Sequence, residues 1–217
     1  MKQVTVVLLI CFSFSSLYSQ NAETFKNEGN KAMSSQQYAV ALAKYEKALT
    51  LWGNKPADKA MIFAMGDCAY RVNDMKKSLN YIDMSIASGY NLDIAYQYRA
   101  CIMKAQNNNE GYLKTLKEGL VKVPASKPLK EMLAKNYFNE GDKHYHEASE
   151  IIKNAVAGVN AGKITAADKA FIEQNAKAKV EFNEALKYLN MSLELNPADK
   201  NAAIVKKNCI NQLNVML

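Results

Sequence analysis

The stretch FKNEGNKAMSSQQYAVALAKYEKALTL, residues Phe25–Leu51, decides the fold of this chain. Similar alternations of small and large apolar residues recur at Ile62–Ile86 and Tyr96–Leu120. Four small residues mark successive copies, with gaps of 37, 34 and 34 residues: Gly29, Gly66, Ala100 and Ala134. A period in this range is typical of helical repeat arrays, in which each repeat buries its apolar face against its neighbours. The spacing therefore predicts a protein that works by presenting a surface.

The composition agrees with an all-helical protein of this kind. The chain has 217 residues, of which 49% are hydrophobic and 23% charged, so it can bury a core and is not disordered by composition. It contains only 4 prolines and 9 glycines, which favours long helices. The net charge of +7 comes from lysines spaced among acidic residues, without a basic cluster. We therefore expect no binding to nucleic acid.

Residues 1–19 have the pattern of a secretory signal peptide. Lys2 gives a positive start, Val4–Phe14 is an apolar run, and Ser15–Ser19 is a short polar exit. The run is too short to cross a bilayer, and no later segment is apolar enough to do so. We predict cleavage after Ser19, which removes Lys2 and leaves a charge of +6. The pattern predicts an exported protein, either periplasmic or at the cell surface and secreted, with no integral membrane span.

The cysteines do not form a recognisable framework. Cys11 lies in the signal run, but Ile10 precedes it where a lipid-anchored export signal needs a small residue. The exported part keeps Cys68, Cys101 and Cys209, an odd number without metal-ligand spacing. Thiols within helical patterns are commonly buried and unpaired. A bridge between Cys68 and Cys101 remains open as an alternative.

The copies resemble tetratricopeptide repeats (TPRs), a family whose repeats are two antiparallel helices that touch at small residues. Six residues of the first repeat match the family's positions: Phe25, Gly29, Tyr38, Ala41, Tyr45 and Ala48. The second repeat matches at Ile62, Gly66, Met75, Ser78, Ile82 and Ser85, and the third at Tyr96, Ala100, Leu116, Gly119 and Pro124. The resemblance implies an all-α, TPR-like helical-repeat solenoid with repeats at about 22–55, 59–90 and 93–124. The signal ending Leu17-Tyr18-Ser19-Gln20 also resembles that of exported TPR proteins of the Bacteroidota.

The fourth repeat is longer than the others. Its apolar stripe runs from Leu129 to Ala155 through Gly141 without a change of phase, and a second stripe runs from Phe171 to Leu193. Two helices of about 30 residues, each about 45 Å long, are therefore expected to form one extended helical hairpin at 126–196. A turn at Gly141 is the alternative. A capping helix at 198–215, with Ala203, Val205, Ile210 and Leu213 covering the last apolar layer, completes one TPR-like domain at 20–217.

The residues give no support to catalysis, and we expect no enzyme, no cofactor and no metal site. His144 and His146 lie two apart on a predicted helix, so they point away from each other and cannot share a metal by themselves. His146 and Glu150 could meet on one face, but two ligands seldom make a site. We interpret both histidines as ordinary surface residues.

The working surface implied by the resemblance is the concave groove lined by the first helix of each repeat. Family positions transfer to these residues: Lys26, Asn30, Met33, Phe63, Asp67, Tyr70, Arg71, Gln97, Cys101 and Lys104. Aromatic, charged and amide groups in this mixture suit an extended peptide or a helix. Lys26 and Asn30 also match TPR domains that clamp a terminal carboxylate, but Ala64, Ile94 and Tyr98 depart from that pattern. That match therefore implies the fold rather than carboxylate binding.

The sequence thus favours a non-catalytic protein-binding module or scaffold that acts in the cell envelope through the TPR groove. Its partner is expected to be a protein or a peptide. The alternative is a structural or assembly component of an envelope or secretion complex. In that case the long C-terminal hairpin would mediate formation of a homo-oligomer.

Overall fold

A computed structural model describes residues 21–53, 56 and 58–216 of the chain. These residues form nine helices and no strand. The helices are α1 (21–34), α2 (Tyr38–Trp52), α3 (Lys59–Arg71), α4 (Met75–Ala87), α5 (Leu92–Ala105), α6 (Asn109–Lys122), α7 (Lys127–Asn160), α8 (Lys169–Leu195) and α9 (Lys200–Val215). The all-α prediction is confirmed. The signal peptide predicted at residues 1–19 lies outside the described residues.

The chain divides after Pro124 into two compact units. The N-terminal unit contains α1 to α6, and the C-terminal unit contains α7 to α9. Assignment of all residues from 20 to 217 to a single domain stays a prediction. Over the described part of both units, no helix combines the length and the apolar character needed to cross a membrane.

The three helix pairs of the N-terminal unit share one turn geometry. The turn residue in each pair has a left-handed backbone, with φ of 59° at Gln36, 62° at Asn73 and 55° at Asn107. These residues are 37 and 34 positions apart, the same gaps that separate Gly29, Gly66 and Ala100. The next N–H along the chain donates to a carbonyl five residues back: Gln37 to Ala32, Asp74 to Ala69 and Asn108 to Met103, each at 2.9 Å. This is the Schellman arrangement of a helix C-terminus, so the repeat seen in the sequence is also a repeat of the backbone.

Small residues in the first helix of a pair face large ones in the second. A Cβ atom added to Gly29 would lie 2.6 Å from Cδ1 of Tyr45, and one added to Gly66 would lie 2.7 Å from Cδ1 of Ile82. Tyr45 and Ile82 are both completely or almost completely buried. Ser78 also donates its hydroxyl to the Gly66 carbonyl at 2.9 Å. The predicted close approach of the helix backbones is therefore confirmed at these positions.

The C-terminal unit is built on the extended hairpin of α7 and α8. The two helices have 34 and 27 residues, or about 51 and 40 Å at 1.5 Å per residue. Gly141 lies inside α7, so the predicted uninterrupted helix is confirmed and the alternative of a turn there is wrong. A Cβ atom on Gly141 would lie 2.8 Å from Cγ of Leu189 on α8. Gly141 thus makes the type of contact that Gly29 and Gly66 make in the N-terminal unit.

The capping helix α9 packs against the hairpin, but the residues that it buries lie one position before the predicted ones. Ala202 and Cys209 are completely buried against the hairpin core, which includes Phe182. Ala203 and Ile210, which were expected to cover this core, are exposed. Val205 and Leu213 pack against the core as expected.

Candidate partner-binding surface

The predicted partner-binding residues all lie on α1, α3 and α5, the first helices of the three repeats. The structure brings one group of them together, which we name the α3–α5 cluster. It consists of Phe63, Asp67, Tyr70 and Arg71 from α3 and of Tyr98 from α5. Asp67 is three or four residues from Phe63, Tyr70 and Arg71, so the turns of α3 place these three side chains next to it.

A buried carboxylate lies at the centre of the α3–α5 cluster. Asp67 is only 7% exposed, and it accepts hydrogen bonds from Arg71 Nε at 2.8 Å and from the Tyr98 hydroxyl. Burial and the hydrogen bond to Asp67 raise the pKa of Tyr98, so this phenol stays protonated and remains a donor. The same carboxylate raises the pKa of Arg71. Asp67 thus has the hydrogen-bond partners that a buried charge requires, and the same bonds hold the Arg71 and Tyr98 side chains in place.

The aromatic rings of the cluster pack edge to face. The Tyr70 and Tyr98 ring centroids are 4.9 Å apart, and those of Phe63 and Tyr98 are 6.2 Å apart. Phe63 also contacts Tyr90 at 6.1 Å. Phe63 and Tyr70 are consequently half-buried. Each ring holds its neighbours in a defined orientation while part of its surface remains accessible.

Arg71 connects the cluster to the first repeat. Its guanidinium carbon lies 4.7 Å from the centre of the Tyr38 ring, which is a cation–π distance. The side chain is 45% exposed despite the bond to Asp67. The guanidinium is therefore held in place and can be reached from solvent.

The predicted residues of α1 make structural contacts of their own. Lys26 Nζ lies 2.7 Å from Asp58 and 5.5 Å from the centre of the Trp52 ring. The hydrogen bond with Asp58 raises the pKa of Lys26. Asp58 also caps the start of α3 by accepting the Met61 N–H. Lys26 thus helps to hold α1 against the next repeat.

Asn30 and Met33 meet at the hydroxyl of a core tyrosine. The Tyr45 hydroxyl donates to the amide oxygen of Asn30 at 2.8 Å and lies 3.6 Å from the Met33 sulfur. Asn30 is exposed and Met33 is half-buried. Part of each side chain is therefore committed to the core of repeat 1.

The predicted residues of α5 are held within the third repeat. Gln97 donates to the Asp93 carboxylate at 3.0 Å, and Lys104 is exposed with its Nζ 5.6 Å from the centre of the Tyr112 ring. Cys101 is half-buried, and burial raises the pKa of its thiol. Cys68, Cys101 and Cys209 are free thiols, so the bridge between Cys68 and Cys101 is not formed.

Tyr98 is the member of the cluster that sequence reasoning missed. In the sequence it is only a departure from the carboxylate-clamp pattern, and it lies 31 residues beyond Asp67 in a different repeat. No helical spacing links residues on different helices, so no sequence signal could have paired the two. The aromatic character of Tyr98 on a first helix was the one available hint.

The expectation of ordinary surface histidines is confirmed for His146 and is wrong for His144. The His144 side chain is 23% exposed, its Nδ1 lies 2.6 Å from Oε2 of Glu181, and its ring stacks on Tyr188 at 5.7 Å. His146 is 71% exposed and lies 3.6 Å from Asp142, so it does not pair with Glu150. Together with Glu147, the His144 and Glu181 side chains form a group that could hold a metal ion.

Comparison with known proteins defines the fold. No protein-family model matches the chain, and no curated protein matches it either. A TPR repeat protein from Bacteroides fragilis of known crystal structure is similar, with 24% sequence identity and a TM-score of 0.61 over 88% of this chain and 98% of that chain. MamA from Desulfovibrio magneticus is 10% identical, with a TM-score of 0.50 over 90% of this chain and 93% of its own. The predicted resemblance is thereby confirmed at the level of architecture, and this chain has the fold of the tetratricopeptide repeat proteins.

Proposed function

We propose that this chain is a non-catalytic scaffold that binds a protein partner through the first helices of its N-terminal unit. The α3–α5 cluster is the observation that carries this proposal. It combines aromatic rings and a guanidinium, which are the groups that dominate binding energy in many protein interfaces. All of them are fixed by contacts within the chain.

The fixed geometry of the cluster lowers the cost of binding. A surface whose side chains are already ordered loses little conformational entropy when a partner docks. Asp67 orders both Arg71 and Tyr98, while Tyr38 supports the other side of the guanidinium. A binding surface prepared in this way suits a peptide with an apolar side chain for the rings and a carboxylate or carbonyl for Arg71.

The charge of the chain favours an acidic partner. Without the predicted signal peptide the net charge is +6, and Lys104 adds an exposed positive charge on α5. Complementary charge mainly increases the rate of encounter and the specificity of binding. We further propose that binding takes place in the periplasm or at the cell surface. The support for this location is the signal-like pattern of residues 1–19 alone.

Affinity purification from the native envelope with matched variants tests the proposal. Lys104→Glu on α5 and Lys76→Glu on α4 make the same change at two exposed lysines, one on a first helix and one on a second helix. We expect Lys104→Glu to lower recovery of the partner several-fold and Lys76→Glu to leave it unchanged. Tyr70→Ala should lower it by about 30-fold, the effect of losing roughly 2 kcal/mol at a binding hot spot.

Circular dichroism of each variant separates loss of binding from loss of folding. The proposal requires that a partner enriched by the wild type is lost with Tyr70→Ala while helical content is retained. Equal losses for Lys104→Glu and Lys76→Glu would contradict a role for the first-helix surface.

Self-association through the hairpin is a second candidate, favoured by one feature of α8. Ile172 and Val180 are 57% and 61% exposed, and residues eight apart lie close to the same face of a helix. Exposed apolar side chains on one face can form an interface between copies. Light scattering tests this candidate, since it predicts a dimer that Val180→Glu dissociates. A monomer over a wide range of concentrations would contradict it.

A further inference from the structure

The extended hairpin carries a chemically distinct cluster that lies outside the partner-binding surface. His144 and Glu147 are on α7, and Glu181 is on α8. One ligand atom from each lies within 4.8 Å of the others. Residues three apart share a helix face, so α7 presents an imidazole and a carboxylate together to the carboxylate of α8. We propose that these three side chains bind a divalent transition-metal ion, with Zn²⁺ as the best fit.

The distances are close to those of a metal coordination shell. His144 Nδ1 lies 2.6 Å from Glu181 Oε2 and 3.9 Å from Glu147 Oε2. Zinc binds nitrogen and oxygen ligands at about 2.0–2.2 Å, which places tetrahedral ligands roughly 3.4 Å apart. The two observed separations lie on either side of this value. Since all three ligand atoms lie within 4.8 Å of one another, changes in their separations of at most about 1.4 Å convert the cluster into three ligands of one ion.

The His144 ring is held in the orientation that coordination needs. It stacks on Tyr188 with an angle of 7° between the planes, which restrains the plane of the ring, and the contact with Glu181 sets the direction of Nδ1. A simple hydrogen bond between His144 and Glu181 would also account for their 2.6 Å contact. The hydrogen bond does not need Glu147, whereas metal binding does. A variant of Glu147 therefore distinguishes the two explanations.

The surroundings admit a cation. The side chains of His144, Glu147 and Glu181 are 23%, 47% and 29% exposed, which leaves the cluster open on one side for water or another ligand. A groove of about 380 Å³ adjoins it and is lined by Glu147, Glu150, Ile151, Asn154 and Glu181. The groove carries three carboxylates; Glu147 also lies 3.9 Å from Lys143 and Glu150 lies 3.2 Å from Lys153, so a bound cation would compete with these two lysines.

The donor set determines the class of metal. Ca²⁺ and Mg²⁺ prefer shells made only of oxygen ligands, whereas one imidazole with two carboxylates suits Zn²⁺ and its first-row neighbours. The two carboxylates also balance the charge of a divalent ion. Because the ligands come from both helices, a bound ion would link α7 to α8 and stabilise the hairpin.

Isothermal titration calorimetry of the metal-free full chain with Zn²⁺ tests the proposal. We expect one site per chain, with Ca²⁺ and Mg²⁺ binding far more weakly. His144→Ala, Glu147→Gln and Glu181→Gln should each lower the affinity for Zn²⁺ by about tenfold or more. His146→Ala is the matched control, since His146 is the other histidine of α7 and pairs with Asp142 instead.

Thermal unfolding provides an independent readout. Zn²⁺ should raise the melting temperature of the wild type and of His146→Ala, but not that of His144→Ala. Glu147→Gln is expected to fold normally, because Glu147 is 47% exposed. The proposal is overturned if Zn²⁺ shows no saturable binding, if Glu147→Gln binds as tightly as the wild type, or if His146→Ala loses as much affinity as His144→Ala.

Discussion

At the residue scale, the fold depends on small residues that let two helices approach. Gly29 and Gly66 face Tyr45 and Ile82 with no room for a Cβ atom. The sequence identified these positions because their spacing repeats along the chain. Contacts such as Tyr98 with Asp67, or His144 with Glu181, could not be identified in this way. They join side chains on different helices, 31 and 37 positions apart, and helical periodicity relates only residues within one helix.

The contact between Gly66 and Ile82 gives a testable prediction. Gly66→Ala should lower the free energy of unfolding by about 1–3 kcal/mol, because the added Cβ would meet Ile82 Cδ1 at 2.7 Å. Ile82→Val removes that Cδ1 atom and by itself costs about 0.5–1.5 kcal/mol. The double variant should therefore lose less stability than the sum of the single variants, as measured by urea unfolding. Strict additivity would contradict the proposed contact.

The buried phenol of Tyr45 predicts a loss of stability at alkaline pH. Burial raises the pKa of Tyr45 to about 12, from an ordinary value near 10. Because the unfolded chain releases this proton first, the stability contribution is present below about pH 10 and is lost as pH rises towards 12. Tyr45→Phe removes the ionisable group. Its stability should fall less than that of the wild type between about pH 9 and pH 11 in urea unfolding. Equal falls in the two proteins would contradict the assignment.

At the element scale, the long hairpin was predictable and its detailed packing was not. The apolar stripe through Gly141 indicated one continuous helix, and α7 is continuous. The buried face of α9 was predicted one residue away from its true position. Apolar residues occur in adjacent pairs there, Ala202 with Ala203 and Cys209 with Ile210, so periodicity alone cannot choose between neighbouring faces.

Two glycines of α7 should respond in opposite ways to alanine. Inside a helix, alanine is more favourable than glycine by about 1 kcal/mol. Whether a glycine-to-alanine change stabilises or destabilises the protein therefore depends on the space around the added Cβ atom. At Gly141 a Cβ atom would lie 2.8 Å from Leu189 Cγ and 3.1 Å from the Ala185 carbonyl oxygen, so Gly141→Ala should destabilise the protein. At Gly158 the neighbour is the end of the Ile164 side chain in the loop after α7, at 3.1 Å.

Gly158→Ala should therefore be neutral or stabilising, since the Ile164 side chain can move by a few tenths of an ångström. Thermal melts of the two single variants, followed by circular dichroism, measure both effects. A decrease of the melting temperature for Gly158→Ala as large as that for Gly141→Ala would show that packing against α8 is not what requires a glycine at position 141.

At the scale of the whole molecule, the sequence predicted the fold class better than the binding surface. Repeated spacings predicted the helix pairs, and the described helices together with the similar solved TPR structure confirm the TPR fold. The first-helix residues were transferred from family positions, but their contacts with one another depend on packing between repeats. Four of the ten predicted groove residues belong to the α3–α5 cluster, while Lys26, Asn30 and Met33 make structural contacts within the N-terminal unit.

The central claim is that the first helices of the N-terminal unit bind a protein partner, and site-specific photo-crosslinking in the native cell tests it most directly. A photoreactive side chain in place of Gln97 or Lys104 on α5 should capture the same partner, whereas one in place of Lys76 on α4 should capture little of it. Tyr70→Ala should abolish the capture without changing the helical content. Equal capture from Lys76, or no shared partner at Gln97 and Lys104, would contradict the claim.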